Sequence, residues 1–210
     1  MDPHAHWRSP PPERARGDFG RPGAAAFAPE ILLKAQGTGL GVKAAIFDVD
    51  GVLTDGRLYI GESGEAFKAF STLDGHGLKL LLRAGIVPLV ITGRDSPAVR
   101  RRVADLGLPH AAYGVHDKRA TAEALLAPLG IAWPDVAVIG DDWPDLPLFA
   151  CAGFRCAPAN AHAEVKARAD VVTTAAGGHG AAREFCDLLL MAAGRYAALL
   201  ADHGVTLDAR

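Results

Sequence analysis

An apolar run that ends in two carboxylates constrains the fold of this chain more than any other feature. Residues 44–47 read Ala-Ala-Ile-Phe, and Asp48, Val49, Asp50 and Gly51 follow directly. The run is typical of a buried central strand, whereas charged groups withdrawn from water must be paired, protonated or bound to a metal. Glycine after the second carboxylate permits a sharp turn that directs both acids to one place. The segment therefore predicts a strand that ends at a functional site.

From Gly41 onward, short apolar strands alternate with helical patterns. This alternation is typical of a parallel sheet with helices on both faces, so we predict a Rossmann-like α/β fold. Residues 57–70 interrupt it and predict a projecting β-hairpin. Because the hairpin and one helix fill the segment before residue 92, no cap domain is expected. The predicted strands are residues 43–48, 87–91, 111–115, 136–140 and 154–157, with 170–173 at an edge, and the predicted helices are 75–82, 97–106, 118–129 and 181–190.

The two ends of the chain differ from this central part. Residues 1–40 are predicted to form a flexible arm, because their first 28 residues are rich in Pro, Arg, Gly and Ala and provide few core-forming groups. A short helix is expected near the end of the arm, since Pro29 suits the first helical position. We therefore predict one folded domain over residues 41–195 and a C-terminal tail over 196–210.

The charge and cysteine content of the chain exclude several classes of function. A net charge of −2, from 22 basic and 24 acidic residues, provides no long-range field for holding nucleic acid or an anionic membrane. Three cysteines, an odd number without a Cys-x-x-Cys pair, favour a reducing compartment. No apolar stretch reaches the roughly 18 residues needed to span a bilayer, and the N-terminus lacks the apolar core of a secretory signal. We predict a cytoplasmic protein that binds neither nucleic acid nor membrane.

Polar side chains follow the carboxyl ends of four predicted strands, which is where open α/β sheets bind ligands. Together they provide the parts needed to hydrolyse a phosphate monoester, because phosphoryl transfer depends on positioning and on neutralising charge at the equatorial oxygens. The residues are Asp48 and Asp50 after the first strand, Thr92 and Arg94 after the second, Lys118 after the third, and Asp141, Asp142 and Asp145 after the fourth.

Each group has a distinct expected role. Asp48 is the candidate nucleophile, and attack on phosphorus would give an aspartyl-phosphate. Asp50 is the candidate acid and base, which protonates the leaving oxygen and then activates water. Asp141 is expected to complete a Mg²⁺ site with Asp48, because this ion prefers hard oxygen ligands. Lys118 would act as a point charge, while the Thr92 hydroxyl donates a hydrogen bond to the transferring group.

Two single residues and one glycine-rich segment each allow two interpretations. Asp142 either supports the metal ligands from behind or is a carboxylate favoured at a helix N-terminus, and Asp145 is assigned the supporting role. Gly177–Gly180 either cradles an anion or caps the last helix. Lys118 alone is ambiguous, since lysines at a helix start are usually solvated.

Two functions of another class also use a phosphorylatable aspartate or this fold. A receiver domain of a signalling system places its acceptor after the third strand, whereas the paired acids here follow the first. A built-in acid and base, Asp50, also favours turnover over a lasting phosphorylated state. A catalytically silent assembly module would not need the complete set of catalytic groups. The residues therefore favour an enzyme.

The order of these motifs resembles the haloacid dehalogenase superfamily of phosphatases, and further segments resemble its 3-deoxy-D-manno-octulosonate 8-phosphate phosphatase family. The resemblance covers about residues 42–195. It implies Mg²⁺-dependent hydrolysis of an eight-carbon acid sugar phosphate on the way to the lipopolysaccharide inner core of Gram-negative bacteria. It also implies metal ligation by the side chains of Asp48 and Asp141 and by the backbone carbonyl of Asp50. The segments that carry it are 48–55, Thr92-Gly-Arg, Lys118, 61–70, 73–77, 139–147 and 177–190.

The family resemblance also implies a homotetramer, in which projecting hairpins pack together and a neighbour's C-terminal tail reaches the site. The hairpin of this chain is apolar enough to need such cover, because exposed apolar hairpins are prone to aggregate. Packing of the hairpin on its own core is the alternative. The apolar residues concerned are Leu58, Tyr59, Ile60, Phe67 and Phe70.

Substrate choice depends on a few cations. A related family that acts on a nine-carbon acid sugar phosphate typically has Glu where this chain has Arg94, and a guanidinium at this position can pair with a sugar carboxylate. Family members often carry an arginine in the Asp-Gly-Tyr-Gly loop where this chain has Leu73, and His76 replaces the tyrosine. We predict that Lys68 and Arg183 provide the missing contact.

Overall fold

The computed structural model describes residues 27–37 and 41–204, and its centre is a six-stranded parallel sheet. The strand order is β5-β4-β1-β6-β7-β8, so β1 lies between β4 and β6. A separate antiparallel pair, β2 and β3, forms the hairpin. These findings confirm the predicted α/β fold and hairpin. The strands are β1 (Ala44–Phe47), β2 (Tyr59–Gly61), β3 (Gly64–Phe67), β4 (Val87–Ile91), β5 (His110–Ala112), β6 (Val136–Ile139), β7 (Phe154–Ala157) and β8 (Val171–Val172).

Helices cover both faces of the sheet. Side chains of α1, α2, α3 and α7 pack in one apolar cluster, and those of α4, α5 and α6 pack in the other. β1 is fully buried and alternates between them, with Ala45 and Phe47 in the first and Ala44 and Ile46 in the second. The three cysteines are free thiols, as expected. The helices are α1 (Pro29–Lys34), α2 (Thr72–Arg83), α3 (Pro97–Leu106), α4 (Lys118–Leu126), α5 (Leu146–Phe149), α6 (Ala163–Lys166), α7 (Ala181–Ala192) and α8 (Tyr196–Ala201).

Among the element boundaries that differ from the sequence prediction, three have a clear local reason. β5 ends at Ala112 because the chain turns at Gly114, which has a positive φ of 66°. α4 ends at Leu126, and the next three residues form a 3₁₀ turn that contains Pro128, whose nitrogen has no proton to donate. α2 begins three residues earlier than predicted, after Ser71, whose hydroxyl accepts a hydrogen bond from the Asp74 amide.

The segment between β1 and β4 holds the hairpin and α2, and no further helix or strand. Tyr59 and Phe67 stack across the hairpin with ring centroids 4.4 Å apart. Phe70 packs against the first apolar cluster, whereas Leu58, Ile60 and Phe67 remain 45–64% exposed. Most of the apolar surface of the hairpin is therefore not covered by its own core.

Both ends of the described chain pack on the sheet domain. α1 begins at Pro29 as predicted, and Lys34 at its end forms an ion pair with Asp170 at 2.5 Å. Tyr196 and Leu199 of α8 pack against the same cluster as α1. The predicted flexibility of residues 1–28 falls almost wholly outside the described residues. Across 27–37 and 41–204, every helix is too short or too polar to cross a bilayer.

Candidate active site

Three carboxylates from two neighbouring strands meet at one edge of the sheet. Asp48 follows β1, and Asp141 and Asp145 follow β6, which pairs with β1 in register. One oxygen from each of the three side chains lies within 4.8 Å of the others. Since the carboxyl ends of parallel strands end at the same edge, the order of the strands produces this convergence. The structure thus brings the predicted nucleophile and the predicted metal ligand together.

Lys118 provides the cation of this cluster. It is the first residue of α4, where the Asp117 side chain accepts a hydrogen bond from the Ala120 amide at 3.0 Å and caps the helix. The Lys118 ammonium lies 2.6 Å from an oxygen of Asp48 and 2.6 Å from an oxygen of Asp145. Burial alone would lower the pKa of Lys118, but the two carboxylates outweigh it and the pKa is raised. Lys118 is therefore a buried cation, not a solvated one.

Asp145 fixes the turn that presents Asp141. Its second oxygen accepts hydrogen bonds from the Asp141 amide at 3.0 Å and the Asp142 amide at 3.4 Å. Gly140 is required here, because a Cβ at that position would lie 2.5 Å from the Cβ of Asp145. Asp145 therefore binds the backbone that carries Asp141, and its supporting role stays a prediction. Asp142 is exposed at the start of the short turn Trp143–Asp145, as expected for a carboxylate at a helix N-terminus.

Without a cation, burial and mutual repulsion raise the free energy of the ionised carboxylate cluster. Burial, followed by the charge of Asp145, raises the pKa of Asp48 to about 7. Burial, followed by the charges of Asp48 and Asp145, raises the pKa of Asp141 to about 8. Hard oxygen donors at this spacing suit a divalent cation such as Mg²⁺. The residues present therefore fit the metal that the motifs imply.

We expect the metal-free protein to lose stability as pH rises from about 5 to 8. Asp48 and Asp141 have native pKa values above the usual 3.8, so in this window the native state binds more protons than the unfolded state. The free energy of unfolding then falls with increasing pH. Mg²⁺ should reverse the trend, because it binds the ionised ligands. Thermal unfolding in EDTA and in excess Mg²⁺ measures this, and equal pH slopes in the two conditions would contradict it.

Gly51 leaves room for the Asp141 carboxylate. Its φ is 89°, and a Cβ at this position would lie 2.0 Å from the Asp141 Oδ2. Gly56 has a similar φ of 79°, but the nearest atom to its Cβ would be 3.4 Å away. Substitution at these two glycines of the same loop therefore separates the effect of backbone strain from displacement of Asp141, the predicted metal ligand.

We expect Gly51→Ala to raise the Mg²⁺ concentration needed for activity and to lower kcat, because the Asp141 carboxylate must move. Gly56→Ala carries a similar backbone cost of about 1–2 kcal/mol and should retain near wild-type activity. Titration of phosphate release against Mg²⁺ compares them. Equal metal dependence of the two variants would show that the close approach of Gly51 to Asp141 has no functional role.

The candidate acid and base, Asp50, lies at the rim of this cluster. Its carboxylate accepts a hydrogen bond from the Lys68 ammonium, whose side chain is 1% exposed. Lys68 also lies 3.2 Å from an oxygen of Glu65. The predicted substrate contact Lys68 is thus brought to the site, but both of these partners are carboxylates of this chain.

Thr92 and Arg94 lie on the loop after β4. Thr92 is buried, and its backbone amide and carbonyl bond with Ala112 and Val115 of the neighbouring β5 segment. Its hydroxyl accepts a hydrogen bond from the Arg94 amide at 3.3 Å. The Arg94 side chain is exposed and close enough to Glu65 to help lower the pKa of that carboxyl. Both residues therefore lie at the edge predicted for them.

Arg183 is the predicted site residue that the structure does not bring to the carboxylates. Its guanidinium pairs with Asp187 at 2.8 Å, one turn further along α7. The side chain lines a cavity of about 220 Å³ between α2, α7 and α8, together with His76 and Tyr196. The helical pattern of α7 predicted the element but not the face on which Arg183 lies.

Gly177–Gly180 packs against the acidic loop after β1. The Gly178 amide donates to the Val52 carbonyl at 3.0 Å, and a Cβ at Gly177 would lie 1.8 Å from the Gly51 carbonyl oxygen. Asn160 connects the two loops, since its side chain donates to the Gly51 carbonyl and accepts from the Gly177 amide. Asn160 was not among the predicted site residues, although it follows β7 at the same edge as the other polar residues.

The N-terminus of α7 is occupied by an internal carboxylate. Asp74, in the first turn of α2, accepts hydrogen bonds from the Gly180 amide at 3.3 Å and the Arg183 amide at 2.8 Å. Asp74 is 1% exposed, and burial raises its pKa. Of the two interpretations of the glycine-rich loop, the structure therefore supports helix capping.

The fold and site together define the class of haloacid dehalogenase-like hydrolases. A family model of that description matches residues 112–185. Over 167 residues the chain is 43% identical to the 3-deoxy-D-manno-octulosonate 8-phosphate phosphatase of Salmonella typhimurium, covering 80% of this chain and 87% of that protein. The chain belongs to the 3-deoxy-D-manno-octulosonate 8-phosphate phosphatase family. It is a phosphoric monoester hydrolase.

Two solved structures of such phosphatases are similar to the structure of this chain, and both contain a metal ion. That of the Moraxella catarrhalis protein, in complex with a magnesium ion, a phosphate ion and a KDO molecule, is 40% identical with a TM-score of 0.78, covering 83% of this chain and 98% of that one. That of the Haemophilus influenzae protein, in a cobalt-bound form, is 41% identical with a TM-score of 0.75, covering 82% and 98%. Both proteins therefore share the fold of this chain over most of its length.

Proposed function

We propose that this enzyme hydrolyses 3-deoxy-D-manno-octulosonate 8-phosphate to the free sugar acid and phosphate, in the synthesis of the lipopolysaccharide inner core. The observation that carries the proposal is the meeting of Asp48, Asp141 and Asp145 with the ammonium of Lys118. The identity of the substrate is supported by the relatives, at 43% identity over most of the chain.

The reaction proceeds in two displacements at phosphorus. An oxygen of Asp48 attacks and forms the aspartyl-phosphate, while the bond to the sugar oxygen breaks and that oxygen takes a proton from Asp50. Water then attacks phosphorus and gives its proton to Asp50, which releases phosphate and restores the Asp48 carboxylate. Asp50 is 21% exposed at its side chain, so it can reach both the leaving group and water.

The chain positions the attacking group and the phosphate. Lys118 holds one oxygen of Asp48 at 2.6 Å, and Thr92 donates its hydroxyl hydrogen to the transferring group. The side chains of Asp48 and Asp141 and the backbone carbonyl of Asp50 would hold Mg²⁺. When bound, the cation supplies the positive charge that neutralises the phosphate oxygens. Asp145 is already engaged by Lys118 and two amides, which leaves it in a supporting role.

Arg94 is the proposed contact for the sugar carboxylate. It is exposed beside the hairpin and at the same edge as the carboxylate cluster. A guanidinium binds a carboxylate through two parallel hydrogen bonds. Arg94→Met should therefore raise the KM for acid sugar phosphates and leave the KM for a neutral sugar phosphate unchanged.

The deciding experiment is a phosphate-release screen under multiple turnover with Mg²⁺. The panel contains the eight-carbon acid sugar phosphate, a nine-carbon acid sugar phosphate and a neutral hexose phosphate. We expect the largest kcat/KM for the eight-carbon acid. A larger value for the nine-carbon acid would assign the alternative substrate, and release that stops near one phosphate per chain would indicate a regulatory phospho-aspartate module.

We further propose that the enzyme is a homotetramer assembled through its hairpins. The supporting observation is the exposure of Leu58, Ile60 and Phe67 on the hairpin, since contiguous exposed apolar surface favours association. Light scattering should give the mass of four chains for the wild type and a smaller mass for Ile60→Lys. A monomer with full activity would refute the assembly.

A further inference from the structure

A chain of polar contacts runs from the loop after β4, through the hairpin, to Asp50. The Ser96 hydroxyl donates to Oε1 of Glu65, and Oε2 of Glu65 lies 3.2 Å from the Lys68 ammonium. The same ammonium donates to Oδ1 of Asp50. We call these four residues, Asp50, Lys68, Glu65 and Ser96, the polar relay. It connects three segments that are separate in the sequence.

In the polar relay, Lys68 and Ser96 have buried side chains and Glu65 and Asp50 are partly buried, whereas the polar groups of a hairpin are ordinarily solvated. The side chains of Lys68 and Glu65 are 1% and 16% exposed, and Ser96 is 2% exposed. Lysine is rarely buried without a partner, because desolvating an ammonium is costly. Burial by itself would raise the pKa of Glu65, but the Ser96 hydroxyl and Lys68 outweigh it and the pKa is lowered. Glu65 is therefore the fixed anion that keeps Lys68 in place.

The direction of the contacts indicates what the polar relay does. Ser96 precedes α3 but makes no capping hydrogen bond there, so its hydroxyl is committed to Glu65. Glu65 in turn restricts the flexible lysine side chain, whose last contact is one defined oxygen of Asp50. Asp50 lies on a turn, and proton transfer requires its carboxylate within hydrogen-bond reach of the leaving oxygen. Precise placement of this group therefore has a catalytic value.

We propose that Glu65 and Ser96 are positioning residues for proton transfer: they hold Lys68 so that its ammonium fixes the Asp50 carboxylate at the leaving-group oxygen. The inference rests on the proposed function, in which Asp50 is the acid. It assigns the inner side of the hairpin a part in the chemical step. Asp50 also activates water in the second displacement, which is the same for every substrate. In the first displacement, a residue that acts only through Asp50 should matter when the leaving group needs a proton and should be dispensable when it does not.

The test compares two leaving groups in the full-length enzyme with Mg²⁺. An alkyl leaving group, as in the acid sugar phosphate, needs a proton from Asp50, whereas p-nitrophenyl phosphate releases p-nitrophenolate, a stable anion that needs no proton. Glu65→Gln and Ser96→Ala should lower kcat/KM on the sugar phosphate by roughly 10-fold or more, within the range of general acid catalysis. On p-nitrophenyl phosphate, kcat/KM of both variants should stay within about threefold of wild type, because kcat/KM reports only the steps up to departure of the leaving group, before Asp50 acts on water. Glu62→Gln, an exposed acid on the same hairpin, is the matched control and should change neither rate.

Combining the substitutions with Asp50→Asn tests whether Glu65 acts through Asp50. In that background, adding Glu65→Gln should cause no further loss on the sugar phosphate, because residues acting as a unit are not additive. Equal losses on both substrates, or a full additional loss in the Asp50→Asn background, would overturn the proposal. Ser96→Ala removes one hydroxyl and no helix cap. It therefore provides a second test of the positioning role if Glu65→Gln folds poorly.

Failure of the proposed function would look different. If the wild type prefers another alkyl phosphate, the substrate assignment is wrong, and the same comparison of leaving groups proceeds with the preferred substrate. If the wild type releases phosphate from no ester, the proposed function fails and the positioning role falls with it.

Discussion

Replacing Asp48 by Asn is expected to abolish turnover while leaving the fold intact. The amide has the shape of the carboxylate but cannot attack phosphorus, so kcat should fall by about four orders of magnitude or more. Lys118 keeps its second partner, Asp145, at 2.6 Å. The change also removes one of the charges that raise the pKa of Asp141. The metal-free variant should therefore be no less stable than the metal-free wild type.

Phosphate release and thermal unfolding together check this expectation. Asp55→Asn is the matched control, because Asp55 is on the same loop and accepts a hydrogen bond from the Arg57 amide outside the carboxylate cluster. It should keep near wild-type turnover. Retention of more than about a hundredth of the activity by Asp48→Asn would refute the nucleophile assignment.

The parts of the fold that the sequence predicted are those set by repeating local patterns. The buried run before Asp48 had to be a central strand, because four consecutive apolar residues cannot face water on either side. Once the chain is a parallel sheet, residues that follow strands must share one edge. This is why Asp48, Asp141 and Lys118 could be placed together from chain order alone, although Lys118 and Asp48 are 70 residues apart.

Contacts made by single residues across the fold could not be predicted in the same way. The Ser96–Glu65 contact joins residues 31 apart, and Asn160 reaches the Gly51 carbonyl over 109 residues. No periodic pattern specifies such partners, since they depend on where the loops end after packing. The face of α7 on which Arg183 lies could not be predicted for the same reason.

Lys118 is the cation of the acidic cluster, and we expect it to stabilise the fold as well as to take part in the proposed chemistry. Among residues 27–37 and 41–204, Lys118 is the one side chain that pairs with both Asp48 and Asp145, and it is 5% exposed. Without Lys118, the three carboxylates would lose the fixed cation that offsets their burial and their mutual repulsion. Lys118 is thus expected to support both stability and catalysis, and the two effects can be separated by metal.

Lys118→Met should therefore lower both the free energy of unfolding and kcat. We expect Mg²⁺ to restore much of the stability but not the activity. Removing one partner of a buried ion pair costs about 3–5 kcal/mol, so the free energy of unfolding in EDTA should fall by that amount. Mg²⁺ should recover much of the stability, because it supplies positive charge to the same carboxylates. It should not restore activity, since nothing then holds Asp48 in the attacking orientation, and kcat should stay at least about 100-fold below wild type.

Urea unfolding and phosphate release, each in EDTA and in Mg²⁺, distinguish the two roles. Lys79→Met on α2 is the matched control, because it removes the same charge and side chain from an exposed position. It should change stability by less than about 0.5 kcal/mol. If Mg²⁺ restores both stability and turnover to Lys118→Met, the lysine serves only to neutralise the cluster, and its role in orienting Asp48 is wrong. If stability returns without turnover, Lys118 is needed to hold Asp48 in the attacking orientation, as predicted.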